Sequence, residues 1–492
     1  MNRQIKRLSI LVTFMLVALM VAATYIQVVK QPQLTADTRN VRTIYNSFNT
    51  QRGPIIVDGK QVASSVPADD NYKWQRVYEQ SNLYSSITGY LSVVSDASTG
   101  IENYYSNVLN GNSHSQALMQ IKNIITGEKP KGGAIELTIN SKMQEIAAKS
   151  LKGKKGSVVA LNPKTGAILA MYSNPNYDAN SIATHNRANS LQAFNQLNGD
   201  NNQPLINKAI SSSYPPGSSF KIITAAAMLS NGVTPETIVD APRFLSLPES
   251  NLTLPNFNNN FCGSGKVPLK FAFGLSCNTP FAKSAMNLGP KKVRSFAKAF
   301  GFDTAEKVSK MPIAKSNFPS KLFLPQLAYS AIGQYEVRAT PLQMAMVAAT
   351  VANNGVRMKP YVVNAELGSD LKPIAMTRPQ IAQSNVISPK VAEDLKNMMK
   401  YVISSHMTTN FNLPGISVAA KTGTAETGVK GQDPHSWLVG FAPADDPQIA
   451  FAVLVEGISQ GSHNITSDLA ARTAESILRA GLKLDVKSGD NR

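Results

Sequence analysis

Hydrophobic positions follow three regimes along the 492 residues. The first is an uncharged run from Leu8 to Val29, whose apolar centre, Leu8 to Ile26, is 19 residues long. As a helix that centre spans ~28 Å at ~1.5 Å per residue, close to the hydrocarbon thickness of a bilayer. Arg3, Lys6 and Arg7 precede it, which predicts a plasma-membrane anchor over residues 8–29 with a cytoplasmic tail, 1–7, and the remaining chain extracellular. Val21-Ala22-Ala23 would also suit a cleaved signal peptide. The apolar run is longer than the usual signal core, so an uncleaved, single-pass anchor is expected.

In the second regime no period is sustained. Asp58-Gly59, between two short apolar segments, is a hairpin-turn signal. Residues 72–150 are rich in Tyr, Ser and Asn and present no reactive constellation. Residues 35–150 therefore read as an extended, mixed spacer standing on the membrane.

The third regime begins at Gly156. Ser157–Leu161 and Ala167–Met171 flank Asn162-Pro163-Lys164-Thr165-Gly166, the pattern of a β-hairpin. Helical spacing follows over 219–230, 279–287, 291–300, 341–353 and 389–404. Strands are expected at Ile416–Ala425 and Ile449–Glu456, with a helix from Ser467 to Ala480. A hairpin early, helices in the middle and strands late predict one α/β domain whose sheet is closed by both ends of the segment.

The helix at 219–230 carries the first candidate chemistry. Pro215, Pro216 and Gly217 bring the chain in as a rigid loop, and Asn231-Gly232 stops the helix. Ser218 falls at its N-terminus and Lys221 one turn later, on the same face. A desolvated lysine can take the serine proton, and the free N–H groups of a helix start suit a developing oxyanion. Ser-x-x-Lys also occurs at Ser295 and Ser369. The first lies inside an amphipathic helix and the second in a polar turn, so neither is presented as Ser218 is.

Two further motifs match this one. Ser276-Cys277-Asn278 precedes a helix starting at Thr279-Pro280 and offers a hydroxyl and a carboxamide from one loop; Ser-x-Asn recurs at Ser47 and Ser462. Lys421-Thr422-Gly423-Thr424 lies inside a strand, where a glycine implies close approach by another group. As an edge strand it could pair with an extended peptide, with the Thr422 and Thr424 hydroxyls available to a carboxylate. A second Lys-Thr-Gly, at Lys164, falls in the predicted hairpin turn and is a decoy.

Composition adds a neighbour and removes two classes of function. The net charge is +18, yet the basic residues are scattered, so an anionic wall or membrane surface fits better than nucleic acid. Five dispersed histidines show no metal-ligand spacing, and neither a metal nor a cofactor is predicted. Cys262 and Cys277 could pair outside the cell, closing a loop of about 15 residues worth roughly 3 kcal/mol; two buried thiols are the alternative.

The ordered trio of motifs resembles the signature of penicillin-binding proteins and active-site-serine β-lactamases. The whole chain is most similar to class B penicillin-binding proteins of the penicillin-binding protein A type. Arg52-Gly53-Pro54-Ile55, Pro204-Leu-Ile-Asn-Lys-Ala before Tyr214-Pro-Pro-Gly-Ser, Ile332-Gly-Gln before Ala339-Thr-Pro, and His435-Ser-Trp-Leu-Val-Gly-Phe-Ala-Pro extend the likeness. Asp58-Gly59 is shorter than the turn of many relatives, and Cys277 fills the middle of the second motif.

The resemblance implies a penicilloyl-serine transferase fold at 151–485, a non-catalytic, dimerisation-like pedestal of mixed α+β structure at 30–150, and a tail at 486–492. It further implies D,D-transpeptidation of peptidoglycan stem peptides through an acyl-enzyme on Ser218, with inhibition by β-lactams. Lys221, Ser276 and Lys421 would move the proton, and Asn278 would orient the substrate. Thr422, Gly423 and Thr424 would bind it, with the N–H groups of Ser218 and Thr424 as oxyanion hole. His435, Trp437 and Glu426 read as rim or packing residues. Polymerisation would come from a SEDS-family membrane partner, among divisome or elongasome proteins. A serine β-lactamase or a D,D-carboxypeptidase shares the motifs and is the alternative.

Overall fold

The computed structural model describes residues 2–30, 48–94, 98–113, 116, 131–406, 411, 413–429, 431–457 and 463–484. Ser47, Ser462 and the tail 486–492 lie outside the described residues. Helix α1, Asn2–Thr24, carries the apolar run. The stretch Arg3–Gln27 is long and apolar enough to cross a membrane and is not buried against the rest of the chain.

The spacer expectation needs correction. Strands β1 (Ile55–Val57), β2 (Lys60–Pro67), β3 (Trp74–Tyr78) and β4 (Ala134–Leu137) do not stand as an extended segment. They join β7 (Val363–Leu367) and β8 (Pro373–Met376) in one six-stranded sheet, ordered β8-β7-β4-β1-β2-β3. The Asp58-Gly59 turn does close the β1–β2 hairpin. Without β7, β4 would expose an unpaired edge, and the later strand covers it antiparallel. Beneath this sheet Glu102, fully buried, takes Arg52 at 2.6 Å and Arg76 at 2.7 Å. A buried carboxylate needs such partners, and the two guanidiniums hold its pKa below the ordinary value against the opposing effect of burial.

The second sheet positions the chemistry. Its order is β9-β10-β11-β5-β6, where β5 is Gly156–Leu161, β6 Ile168–Asn174, β9 Ala419–Ala425, β10 His435–Ala442 and β11 Ile449–Val455. Early and late segments meet at the β11–β5 pair, so both ends of the domain close the sheet. Strand β10 was not anticipated; it separates the two strands expected near the C-terminal end. β9 is an edge strand, the position that pairing with an extended peptide requires. Strands β5 and β11 are buried along their whole length. A helix over Lys221–Leu229, here α2, is buried at all nine positions. Such a helix is held by packing on every side, which fixes its first turn firmly.

Candidate active site

The nucleophile turn is built from constraints on each residue in sequence. Tyr214 exchanges two backbone hydrogen bonds with Ala339, and the Trp437 indole N–H donates to Pro215 O at 3.0 Å. Gly217 has φ +53° and leads a 3₁₀ turn, Gly217–Phe220, into α2. A Cβ on Gly217 would stand 2.4 Å from Thr424 O, and one on Gly423 would stand 2.8 Å from Pro216 O. Both glycines are therefore required where the turn lies against edge strand β9. Ser218 ends half-buried, at the mouth of this contact.

The structure brings Ser218, Lys221, Ser276, Asn278 and Lys421 together. Lys221 Nζ is 3.1 Å from Ser218 Oγ, 2.7 Å from Ser276 O, 2.7 Å from Asn278 Oδ1 and 3.5 Å from Ser276 Oγ. Lys421 Nζ donates to Ser276 Oγ at 2.8 Å and to Thr422 O at 3.2 Å. Both lysines are fully buried. Burial first, and then the charge of Lys421, hold the Lys221 pKa well below its ordinary value. Burial alone brings Lys421 down to about 7.

The downward shift at Lys221 favours its neutral amine. A neutral amine has two N–H groups and one lone pair. Ser276 O and Asn278 Oδ1 can only accept, so they take both N–H groups. The lone pair is then left for the Ser218 hydroxyl, the arrangement a general base needs. Ser276 is a non-glycine residue at φ +56°. In this costly backbone conformation its carbonyl reaches one lysine and its hydroxyl the other.

The rest of the second motif is held from a distance. Asn278 N–H donates to Asn256 Oδ1 at 2.8 Å, and Asn278 Nδ2 donates to Pro255 O at 3.0 Å. Asn256 is buried and also accepts from Thr279 N–H. Sequence reasoning missed it, because a lone asparagine in a polar segment carries no signal. Cys262 and Cys277 form a disulfide that ties the same loop to the chain 15 residues upstream. Reduction should lower the melting temperature, since closing a ~15-residue loop is worth roughly 3 kcal/mol. Calorimetry with and without a reductant checks this, and an unchanged transition would contradict it.

On β9, Thr422 is half-buried, Gly423 buried and Thr424 exposed, so the strand offers two hydroxyls beside a close backbone approach. The decoys separate cleanly. Ser295 turns its hydroxyl back to Lys292 O, Lys372 pairs with its neighbour Asp370, and Lys164 pairs with exposed Asp446. Trp437 packs under the nucleophile turn, His435 lies half-buried beside Tyr214, and Glu426 is exposed. No group of three or more metal-ligating side chains occurs among the described residues.

A serine at a helix start, a buried lysine with a depressed pKa, a bridging serine and an edge strand together define an active-site-serine acyl-transfer architecture. Residues 156–479 match the penicillin-binding protein transpeptidase domain, and residues 52–135 match the penicillin-binding protein A dimerisation domain. The chain belongs to the penicillin-binding protein transpeptidase family. It is 39% identical to the peptidoglycan D,D-transpeptidase PbpA of Mycolicibacterium smegmatis, over 98% of this chain and 99% of that one. Penicillin-binding protein A of M. tuberculosis, solved as an imipenem acyl-enzyme complex, superposes with a TM-score of 0.84 at 36% identity. That match covers 89% of this chain and all of the solved one. A D,D-transpeptidase domain from Eggerthella lenta gives 0.75 at 30% identity, covering 89% of this chain and 99% of that one.

Proposed function

We propose that the chain is a serine-type peptidoglycan D,D-transpeptidase that cross-links stem peptides through an acyl-enzyme on Ser218. The observation that carries this reading is the line Ser218 Oγ–Lys221 Nζ–Ser276 Oγ–Lys421 Nζ, closed at 3.1, 3.5 and 2.8 Å. Lys221 accepts the serine proton as Oγ attacks the D-Ala–D-Ala carbonyl. The tetrahedral oxyanion is met by the N–H groups of Ser218 and Thr424, a pair of donors worth several kcal/mol in such sites. The proton then passes through Ser276 to the departing D-Ala amine, with Lys421 holding the Ser276 hydroxyl. An amine of a neighbouring stem peptide attacks the ester and returns the enzyme.

Asn278 orients the donor amide, and the free edge of β9 pairs with the extended donor peptide while Thr422 and Thr424 hold its carboxylate. Residues 151–485 act as the transpeptidase domain, 30–150 as its pedestal, and 8–29 as a single-pass anchor that keeps the catalytic domain outside the plasma membrane. The N-terminal apolar helix and its basic flank support that topology. Glycan polymerisation falls to a membrane partner of the SEDS type.

Mass spectrometry after exposure to penicillin tests the reading. One adduct, on the Ser218 peptide and lasting many minutes at neutral pH, is expected, because the β-lactam leaving group stays tethered and blocks the acceptor amine. Ser218→Ala should not label, whereas Ser295→Ala and Ser369→Ala should. Rapid multiple turnover of penicillin would make the protein a β-lactamase instead.

A further inference from the structure

We infer that Tyr214 and Glu456 are a positioning pair that fixes the turn carrying Ser218 against the strand carrying Thr424. The inference rests on the acylation reading above and concerns how the two oxyanion donors keep their spacing. Those donors come from segments about 200 residues apart in sequence, joined by no covalent constraint, so something must gauge the gap between them.

The Tyr214 hydroxyl donates to Glu456 Oε1 at 2.8 Å, across 242 residues of sequence. Burial, reinforced by the nearby Glu456 charge, holds the Tyr214 phenol well above its ordinary pKa, so it stays a donor. Glu456 is itself fixed to the sheet, its N–H donating to Lys155 O at 2.9 Å. Gly457, the next residue, donates its N–H to His435 Nδ1 at 3.3 Å, and the His435 ring stands edge-on to Tyr214 with centroids 5.4 Å apart. In the β9–β10 ladder His435 lies opposite Ala425, the neighbour of Thr424. Residues 456 and 457 thus grip the nucleophile turn through Tyr214 and the start of β10 through His435.

Between Tyr214 and Ser218 the chain has little freedom to absorb a change at Tyr214. Pro215 O is held by Trp437, Pro216 O accepts from Ser219 Oγ at 2.7 Å, and Gly217 N–H donates to Gly333 O at 2.9 Å. Those bonds seat the turn beyond Tyr214, and the Tyr214–Glu456 bond seats its entrance, so losing it loosens the first step toward Ser218. Tyr214 and Glu456 touch no reacting atom in this scheme; they act through the backbone of the turn.

The test measures Ser218 acylation by a fluorescent penicillin in the full-length, detergent-solubilised protein, resolving the binding constant from the acylation rate constant. Tyr214→Phe, which keeps the ring and removes one oxygen, should lower the rate constant about tenfold or more, as misplacement of a reacting group does. Penicillin binding and the folded fraction at assay temperature should stay unchanged. Glu456→Gln retains an acceptor oxygen and should acylate nearly normally, whereas Glu456→Ala should match Tyr214→Phe. The double variant Tyr214→Phe/Glu456→Ala should be no slower than either single one, because both remove the same bond. A labelled wild type with a Tyr214→Phe rate within about twofold, or with losses that multiply in the double variant, overturns the pair alone. An unlabelled wild type overturns the acylation reading and this inference with it.

Discussion

Lys221→Met should reduce acylation of Ser218 by at least ~10³-fold, within the range expected for losing a positioned general base. Methionine fills similar space but has no lone pair of comparable basicity, so the serine proton has no acceptor at 3.1 Å. The wild-type pH profile should point to the same group. Below the Lys221 pKa the amine is an ammonium, its lone pair is gone, and the rate should fall as pH drops. Burial and the Lys421 charge place that limb well below the range of an ordinary lysine. Above it the amine is neutral and the rate no longer depends on this group. Stopped-flow acylation with a reporter β-lactam across pH, with circular dichroism to confirm folding, measures both effects. A Lys221→Met protein that acylates within about tenfold of wild type would rule out lysine as the base.

The nucleophile was legible because several local signals coincide around Ser218. Two prolines and a glycine forbid helix before it, strong helix formers follow, and the lysine sits one turn on. Context of the same local kind rejected Ser295, Ser369 and Lys164: Ser295 turns its hydroxyl to Lys292 O, the Lys372 that would serve Ser369 pairs with Asp370, and Lys164 pairs with Asp446. Gly423 announced the close approach of the nucleophile turn, now measured against Pro216 O. What sequence could not supply were pairings across long separations. β10 is an apolar run between Pro434 and Pro443 that has the makings of a strand, but its place between β9 and β11 follows only from the assembled sheet. The six-stranded sheet was not legible for the same reason, since β7 reaches it from more than 200 residues downstream of β4. The state of the lysines also lay beyond sequence, because a depressed pKa is a property of burial and not of spacing.

Lys421→Met should slow acylation by at least ~10²-fold, the scale of losing a preorganised electrostatic group, and should also change how stability depends on pH. Burial puts Lys421 at about 7 in the folded protein, whereas a lysine in the unfolded chain titrates near ~10.4. Between those values the unfolded chain holds the proton and the folded chain does not. Stability of the wild type therefore rises with pH across this window, as unfolding there takes up a proton. Below about 7 the cost of the buried charge is fully present, on the order of 5 kcal/mol for a shift of this size. Near the unfolded value the cost has gone. Methionine never carries it, so wild type should gain on Lys421→Met as pH is raised from about 7 to about 10. Melting curves of both proteins at the two pH values read this directly, and a gap that does not move with pH would contradict it. Lys164→Met is the control: that lysine is 54% exposed and pairs with Asp446, which is 71% exposed, so neither the acylation rate nor the pH dependence of melting should change.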